Sequence, residues 1–172
     1  MILPRLFKAY ADSKKVVGEP TTDKQEKLDL YFVIDASKSV ESAFDDIKKF
    51  IISVIYKIPV TSGQVRIAIT LSGGTQYDLT KFSDRVSMEW YEYTISNMQL
   101  VGSDQASFLG GLERAQRSLS ESAEDAKKVL ILISGSGGYD DLSKEVAVAN
   151  DIRKSGKDNS SSVGFCSVWL ST

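Results

Sequence analysis

The sequence predicts an α/β fold: a doubly wound, mostly parallel sheet with helices on both faces and one antiparallel edge strand. Short, almost continuous apolar runs occur at Leu28–Ile34, Lys128–Ile133 and Val163–Leu170. Such runs are typical of strands that are covered on both faces. Between them lie segments whose apolar residues recur every three or four positions, as in amphipathic helices. The resulting order is β-α-β-β-α-α-β-α-β, which requires crossovers between parallel strands.

The first strand, Leu28–Ile34, is followed by a strongly amphipathic segment. Ser39 is a natural N-cap for a helix there, and Pro59 is a natural stop. The predicted inward face of this helix carries six apolar residues: Val40, Phe44, Ile47, Ile51, Val54 and Ile58.

The next segments predict a hairpin at one edge of the sheet. Gln64–Leu71 reads as a strand, and Gly73-Gly74 as a turn. Thr75–Phe82 is more polar and alternates, which suits an antiparallel edge strand.

The second half of the chain predicts three helices and two strands. Ser83–Met98 is helical but less regular, and Ser107–Leu119 has one apolar face. Lys128–Ile133 is the most apolar strand. A helix then begins at Asp140 or Asp141, runs through Lys154 and ends at Gly156. Val163–Leu170 is the last strand.

The composition excludes several classes of function. The chain has 172 residues, a net charge of −2 and no histidine. The charge gives no basic surface for nucleic acid. Without histidine there is no Ser-His-Asp or Cys-His catalysis and no His-ligated zinc, so we expect a protein that is not an enzyme.

Three further features bear on the environment of the chain. The lone cysteine, Cys166, excludes an intrachain disulfide and is expected to be buried and inert. The apolar part of the opening residues is too short and too charged for a signal peptide. No apolar stretch of the sequence is long enough to span a membrane. Trp90, Tyr91 and Tyr93 form an aromatic cluster that is either core or a contact surface.

The clearest chemical feature is Asp35-Ala36-Ser37-Lys38-Ser39, which directly follows a buried strand. In open α/β sheets, ligands bind at the carboxyl ends of the strands. A carboxylate and two hydroxyls at alternate positions converge when the backbone turns sharply, and they supply the oxygen ligands that Mg²⁺ requires. The alternative is that Asp35 and Ser39 only cap the following helix.

The stretch Leu28–Val40 (LDLYFVIDASKSV) resembles the first strand and metal-ion-dependent adhesion site of von Willebrand factor A (vWA) domains, which include integrin I domains. The resemblance covers roughly residues 28–170, through Val65–Leu71, Phe82-Ser83, Leu112–Ala115, Val129–Ile133 and Asp140-Asp141. It implies a Rossmann-like fold and an extracellular or cell-surface location. It also implies that Asp35, Ser37 and Ser39 bind Mg²⁺, or Mn²⁺ or Ca²⁺, whose coordination an acidic residue of a protein partner completes.

Two departures from the family concern this cation site. The family usually supplies a threonine before the helix that begins near Leu109, where this chain offers Ser103, Asp104 and Ser107 instead. It also usually has an aspartate where Gly135 stands, and the loss of one anionic ligand weakens cation binding. Asp140 and Asp141 are better placed to cap the next helix.

Three states of the site are therefore open: a weak site, a site that a partner carboxylate completes, and a degenerate site. A cation held by fewer carboxylates attracts an incoming one more strongly. The loops near Ser107, Gly135 and Ser136 are the predicted partner-binding surface.

The predicted domain spans residues 28–172, and residues 1–27 form an N-terminal extension. Leu3–Ala11 reads as an amphipathic helix and Lys15–Val17 as a short strand, which resemble elements that the family has after its equivalent of Val163–Leu170. Three explanations are open: circular permutation, exchange of these elements with a neighbouring molecule, and a linker before a truncated domain.

The sequence thus predicts a protein-binding adhesion module that recognises a partner through a divalent cation. The alternative is a metal-independent structural, matrix or assembly domain. The phosphate-binding patterns GxxxxGK[ST] and GxGxxG are absent from the positions where nucleotide binding would need them.

Overall fold

The computed structural model describes residues 27–73, 75–84, 86–101, 107–135, 143–155 and 163–170. The strands are β1 (Lys27–Asp35), β2 (Val65–Gly73), β3 (Thr75–Thr80), β4 (Ala126–Gly135) and β5 (Val163–Leu170). The helices are α1 (Phe44–Ile55), α2 (Met88–Ser96), α3 (Leu109–Ser120) and α4 (Ser143–Ser155), with 3-10 helices at Lys38–Ala43 and Val60–Ser62.

The strands form one sheet in the order β3-β2-β1-β4-β5. β1 pairs in parallel with both β2 and β4, and β5 pairs in parallel with β4. Only β3, at one edge of the described sheet, is antiparallel. This confirms the predicted mostly parallel sheet with an antiparallel edge strand.

The side chains of β1 alternate between two apolar cores, as the geometry of a strand requires. Phe32 and Ile34 belong to the core beneath α1 and α2. Tyr31 and Val33 belong to the core beneath α3 and α4. Because β1 is covered on both faces, its carboxyl end is held firmly at the middle of the sheet.

The helix after β1 differs from the prediction at both ends. The chain enters it through the 3-10 helix Lys38–Ala43, and the α-helical part ends at Ile55, before Pro59. Ser39 lies inside the 3-10 helix, so its prediction as N-cap is wrong. The N-cap position is Ser37, whose side chain makes no capping hydrogen bond. Both hydroxyls are instead engaged in the turn that follows β1.

The segment predicted to be helical from Ser83 is helical only from Met88. Residues 81–84 form a turn in which Asp84 accepts a hydrogen bond from the Lys81 backbone N–H at 2.8 Å. The Ser87 side chain then caps α2 by accepting from the Trp90 N–H at 3.3 Å. Several predicted features lie outside the described residues. They are the helix start at Asp140 or Asp141, the helix end at Gly156, the turn residue Gly74 and the extension up to residue 26.

The structure also bears on the cysteine, the aromatic cluster and the expected absence of a membrane span. Cys166 is only half-buried, and this burial raises the pKa of its thiol. Within the aromatic cluster, Tyr91 is core, whereas Trp90 and Tyr93 are exposed. No helix in the described part of the chain is long and apolar enough to cross a membrane.

Candidate metal centre

Asp35 is the last residue of β1 and is fully buried. Its register partner on β2 is Ser72, and the end of β4, at Gly135, lies on its other side. The carboxyl ends of three parallel strands therefore surround one carboxylate. This is the place in an open α/β sheet where ligands are expected.

The candidate ligand atoms form a chain of short hydrogen bonds. The Ser37 hydroxyl donates to the Asp35 carboxylate at 2.7 Å, and the Ser37 backbone N–H donates to the same oxygen at 3.0 Å. The hydroxyls of Ser37 and Ser39 are 2.7 Å apart. Ser37 is buried and Ser39 is exposed, so the three side chains lead from the interior to the surface.

The structure thus brings the three predicted ligands together. Ser39 does not cap the helix, and the Asp35 carboxylate accepts a hydrogen bond from the N–H of Ser37, the residue at the N-cap position.

The backbone of this turn is fixed on both sides. The N–H of Ala36 donates to the carbonyl of Ser72 at 2.8 Å, and its carbonyl accepts from the N–H of Val101 at 2.8 Å. Gly73 passes so close that a Cβ atom on it would lie 2.7 Å from the Ser37 nitrogen. Real Cβ atoms do not approach backbone so closely, so the turn requires glycine at this position.

The second oxygen of Asp35 faces Gly135. The Gly135 N–H donates to it at 3.5 Å, which is a long and weak hydrogen bond. A Cβ atom on Gly135 would lie 2.4 Å from Cγ1 of Val40. The resemblance leads one to expect a second carboxylate at this position. The position instead has no side chain and is closely packed.

Ser107 is the one described residue among the three candidate substitutes for the missing threonine. Its carbonyl accepts a short hydrogen bond from the hydroxyl of Ser72, which ties the start of α3 to the end of β2 beside Asp35. Ser103, Asp104 and Ser136 lie outside the described residues, as do Asp140 and Asp141.

Ser72 and Gly73 were missed by the sequence reasoning. The signal that could have found them is a serine and a glycine directly after the apolar run of the second strand. In a parallel pair this position lies level with the end of β1, as the pairing of Asp35 with Ser72 shows.

The donor set fits a hard divalent cation in chemistry. Carboxylate and hydroxyl oxygens are the ligands of Mg²⁺, Mn²⁺ and Ca²⁺. The set contains a single carboxylate, that of Asp35, beside two neutral hydroxyls. No group of three or more Cys, Asp or Glu residues suited to a metal occurs within the described ranges. The residues present therefore fit part of a coordination sphere and leave the remainder to water or to a partner.

Comparison with known proteins identifies the family of the chain. The family model of the von Willebrand factor type A domain matches residues 29–165. No curated protein matches the chain in sequence.

Solved structures share the fold at low sequence identity. Manganese-loaded TRAP protein of Plasmodium vivax has a TM-score of 0.71 and 15% identity, over 84% of this chain and 57% of that one. Proximal thread matrix protein 1 (PTMP1) of the mussel byssus, with a zinc-occupied MIDAS motif, has a TM-score of 0.67 and 19% identity. That match covers 88% of this chain and 38% of the other.

The SpRpn10 VWA domain has a TM-score of 0.61 and 13% identity, over 83% of this chain and 88% of that one. This chain spans only 57% of the TRAP chain and 38% of the PTMP1 chain.

At these identities the structures establish the fold, and the match to the family model establishes the family. The chain belongs to the von Willebrand factor type A domain family.

Proposed function

We propose that this chain is a protein-binding module that recognises an acidic residue of its partner through a divalent cation held by Asp35, Ser37 and Ser39. The observation that carries the proposal is the chain of oxygen atoms, in 2.7 Å steps, that leads from buried Asp35 to exposed Ser39. Protein–protein interaction is the general role of the family to which the chain belongs.

The cation would act as a Lewis acid toward an incoming carboxylate. Asp35 supplies the charge that attracts the ion, and the two hydroxyls supply neutral oxygen ligands. The backbone anchors of Ala36 hold these groups in place before the ion binds. Such preorganisation limits the entropy lost on binding.

The single carboxylate has two opposite consequences. It makes affinity for the free ion low, because ligand charge is a main determinant of cation affinity. It also leaves a bound Mg²⁺ or Mn²⁺ with a net positive charge, which strengthens attraction to a partner carboxylate. The site is thus suited to a cation that is held firmly only in the complex.

Binding rather than catalysis is the role that the residues favour. The chain has no histidine to act as a general base near neutral pH. The exposed end of the site at Ser39 lies at the surface, where a protein partner has access. The structural likeness to a byssus matrix protein supports an extracellular or cell-surface location.

The proposal is tested with Mn²⁺ and the smallest carboxylate, acetate. Bound Mn²⁺ enhances the relaxation of water protons, and acetate that displaces a bound water lowers this enhancement. We expect a saturable decrease with acetate and none with acetamide, which has the same shape and no charge. Equal effects of acetate and acetamide would contradict recognition of a carboxylate.

A second candidate function is a metal-independent structural or assembly domain. The close contact of Gly135 with Val40 favours it, because that contact occupies the space of a second anionic ligand. Association would then use other surfaces, including exchange of elements from residues 1–27 between molecules. If the chain associates with itself or with a protein partner, association that persists in EDTA and in an Asp35→Asn variant distinguishes this role from the first.

A further inference from the structure

A cleft of about 480 Å³ lies between α3 and the β3 edge of the sheet. Its walls include Arg66 of β2, Asp78 of β3 and Arg114 of α3. Arg66 pairs with Asp29, six residues before Asp35 on β1. At about 3.3 Å per residue, this places that part of the cleft about 20 Å along the strand from the candidate metal centre.

Two arginines of the cleft are held in fixed orientations. Arg66 donates from Nε and Nη2 to the two oxygens of buried Asp29, at 2.7 and 2.5 Å. Arg114 donates from Nη1 to Asp78 at 2.7 Å. A guanidinium has five N–H donors in a planar fork, so each arginine keeps donors that these pairs do not use.

Two further cations line the cleft without such partners. Lys81 and Arg117 make no ion pair with any residue that the structure describes. Together with Arg66 and Arg114 they give four lining cations against two lining carboxylates, those of Asp78 and Glu121. Asp29 and Asp84, which bond to Arg66 and to the Lys81 backbone, balance the other two charges. An anion would therefore be bound by the cations and free donors that face it rather than by a net positive charge of the region.

Ser122 adds an unused donor to the same wall. Its hydroxyl is buried and has no hydrogen-bond partner among the described residues. A buried hydroxyl without a partner costs about 1–3 kcal/mol, so such groups are rare and call for an explanation. A ligand that accepts a hydrogen bond after a simple rotation of the side chain provides one.

We infer that this cleft binds the oxyanion group of a small molecule, a phosphate or sulfate ester. Planar guanidinium forks match tetrahedral oxyanions through paired N–H donors, and three oxygens accept more hydrogen bonds than one carboxylate. The volume lies in the range of small-molecule sites. The cleft is independent of the proposed cation site, since they share no residues.

The test uses inorganic phosphate and inorganic sulfate as probes. Each is titrated into ¹⁵N-labelled protein at constant ionic strength, with chloride as the replaced anion, and amide shifts are recorded. We expect saturable shifts confined to residues around the cleft. Shifts that are linear in concentration, or spread over the surface, would overturn the inference.

Two variants and a matched control separate a built site from general charge. Lys81→Gln/Arg117→Gln removes the two cations without partners and should weaken binding about tenfold, or roughly threefold for each exposed cation. Lys144→Gln/Lys154→Gln removes the same charge from exposed positions of α4 and should leave the affinity unchanged. Equal weakening by both double variants would overturn the inference.

Ser122→Ala distinguishes a ligand donor from a structural hydroxyl. Because the hydroxyl has no partner, its removal should leave the melting temperature unchanged or higher, while anion affinity falls several-fold. A lower melting temperature with unchanged anion affinity would contradict its assignment.

The pH dependence separates the two esters. A phosphate monoester gains its second charge near pH 6 and inorganic phosphate near pH 7, whereas sulfate does not titrate in this range. The chain has no histidine, so no side chain with an ordinary pKa near 6.5 interferes. Affinity for phosphate that rises from pH 5.5 to 7.5 while affinity for sulfate stays constant identifies a site that responds to ligand charge. A flat profile for phosphate would overturn recognition of the oxyanion through its charge.

Discussion

Gly135 packs directly against Val40, so that a Cβ atom on the glycine would lie 2.4 Å from Cγ1 of the valine. Gly135 ends β4, and Val40 directly follows Ser39 in the 3-10 helix Lys38–Ala43. Valine is stiff about χ1 and cannot readily turn away. The Val40 side chain therefore leaves no room for a carboxylate side chain at position 135.

Restoring that carboxylate should require both positions to change. Gly135→Asp alone should lower the free energy of unfolding by about 1–3 kcal/mol, because it overpacks the site. In Gly135→Asp/Val40→Ala the clash is relieved, and affinity for Mn²⁺ should exceed that of the wild type. Denaturant unfolding and Mn²⁺ titration check both statements. Wild-type stability of the single variant would show that Val40 does not restrict the site.

The close approach of Gly73 to Ser37 predicts different tolerance at two glycines in strands. Gly73→Ala places a Cβ atom 2.7 Å from the Ser37 nitrogen and should cost about 1–3 kcal/mol of unfolding free energy. Gly164→Ala is the matched control, since its nearest contact would be 3.6 Å to a Val129 side-chain atom. The two variants are compared by thermal and denaturant unfolding. Equal stabilities would contradict the tight fit at Gly73.

The buried carboxylate of Asp29 depends on Arg66. Arg66→Gln leaves Asp29, whose side chain is 1% exposed, without its charged partner. Loss of one partner of a buried pair costs about 3–5 kcal/mol, and we expect the lower end because Arg66 itself is 40% exposed. Lys49→Gln breaks the pair with Asp46, in which both side chains are 77% exposed, and should change stability little. Similar losses in both variants would argue against a special role of Asp29.

Tyr91 should contribute to a loss of stability at high pH. Burial, with a smaller effect of the Asp84 charge, raises the pKa of Tyr91 to about 12. In the unfolded chain the phenol has a pKa of about 10. Its contribution to the free energy of unfolding is therefore complete below pH 10 and is lost as the pH rises to about 12. In Tyr91→Phe this part of the decline should be absent, as denaturant unfolding between pH 9 and 12 can show; parallel wild-type and variant curves would refute it.

The sequence predicted the fold and the proximity of the three candidate ligands because both depend on local patterns. The apolar runs defined three of the five strands, the segment Gln64–Leu71 was predicted as a fourth, and the alternation of residues 75–82 identified the edge strand β3. Asp35, Ser37 and Ser39 follow a buried strand within five residues, so a single turn brings them together. Family resemblance then supplied the use that we propose for that turn.

The features that were missed depend on contacts between distant segments. The fit of Gly73 against Ser37 arises from the register of β1 with β2, which no local pattern fixes. The cleft near Arg66 and Arg114 combines residues of β2, β3 and α3, so its charge cannot be read along the chain. Ser39 was assigned as a cap because the sequence does not reveal that its hydroxyl bonds to Ser37 instead.

Titration of chelated protein with Mn²⁺ and Mg²⁺ by calorimetry tests the cation site most directly. Three folded proteins are compared: the wild type, Asp35→Asn and Asp125→Asn, which removes an exposed carboxylate before β4. We predict one saturable site that is lost in Asp35→Asn and kept in Asp125→Asn. Binding that is unchanged in Asp35→Asn, or no binding to the wild type with or without acetate, would contradict a cation site at Asp35, Ser37 and Ser39.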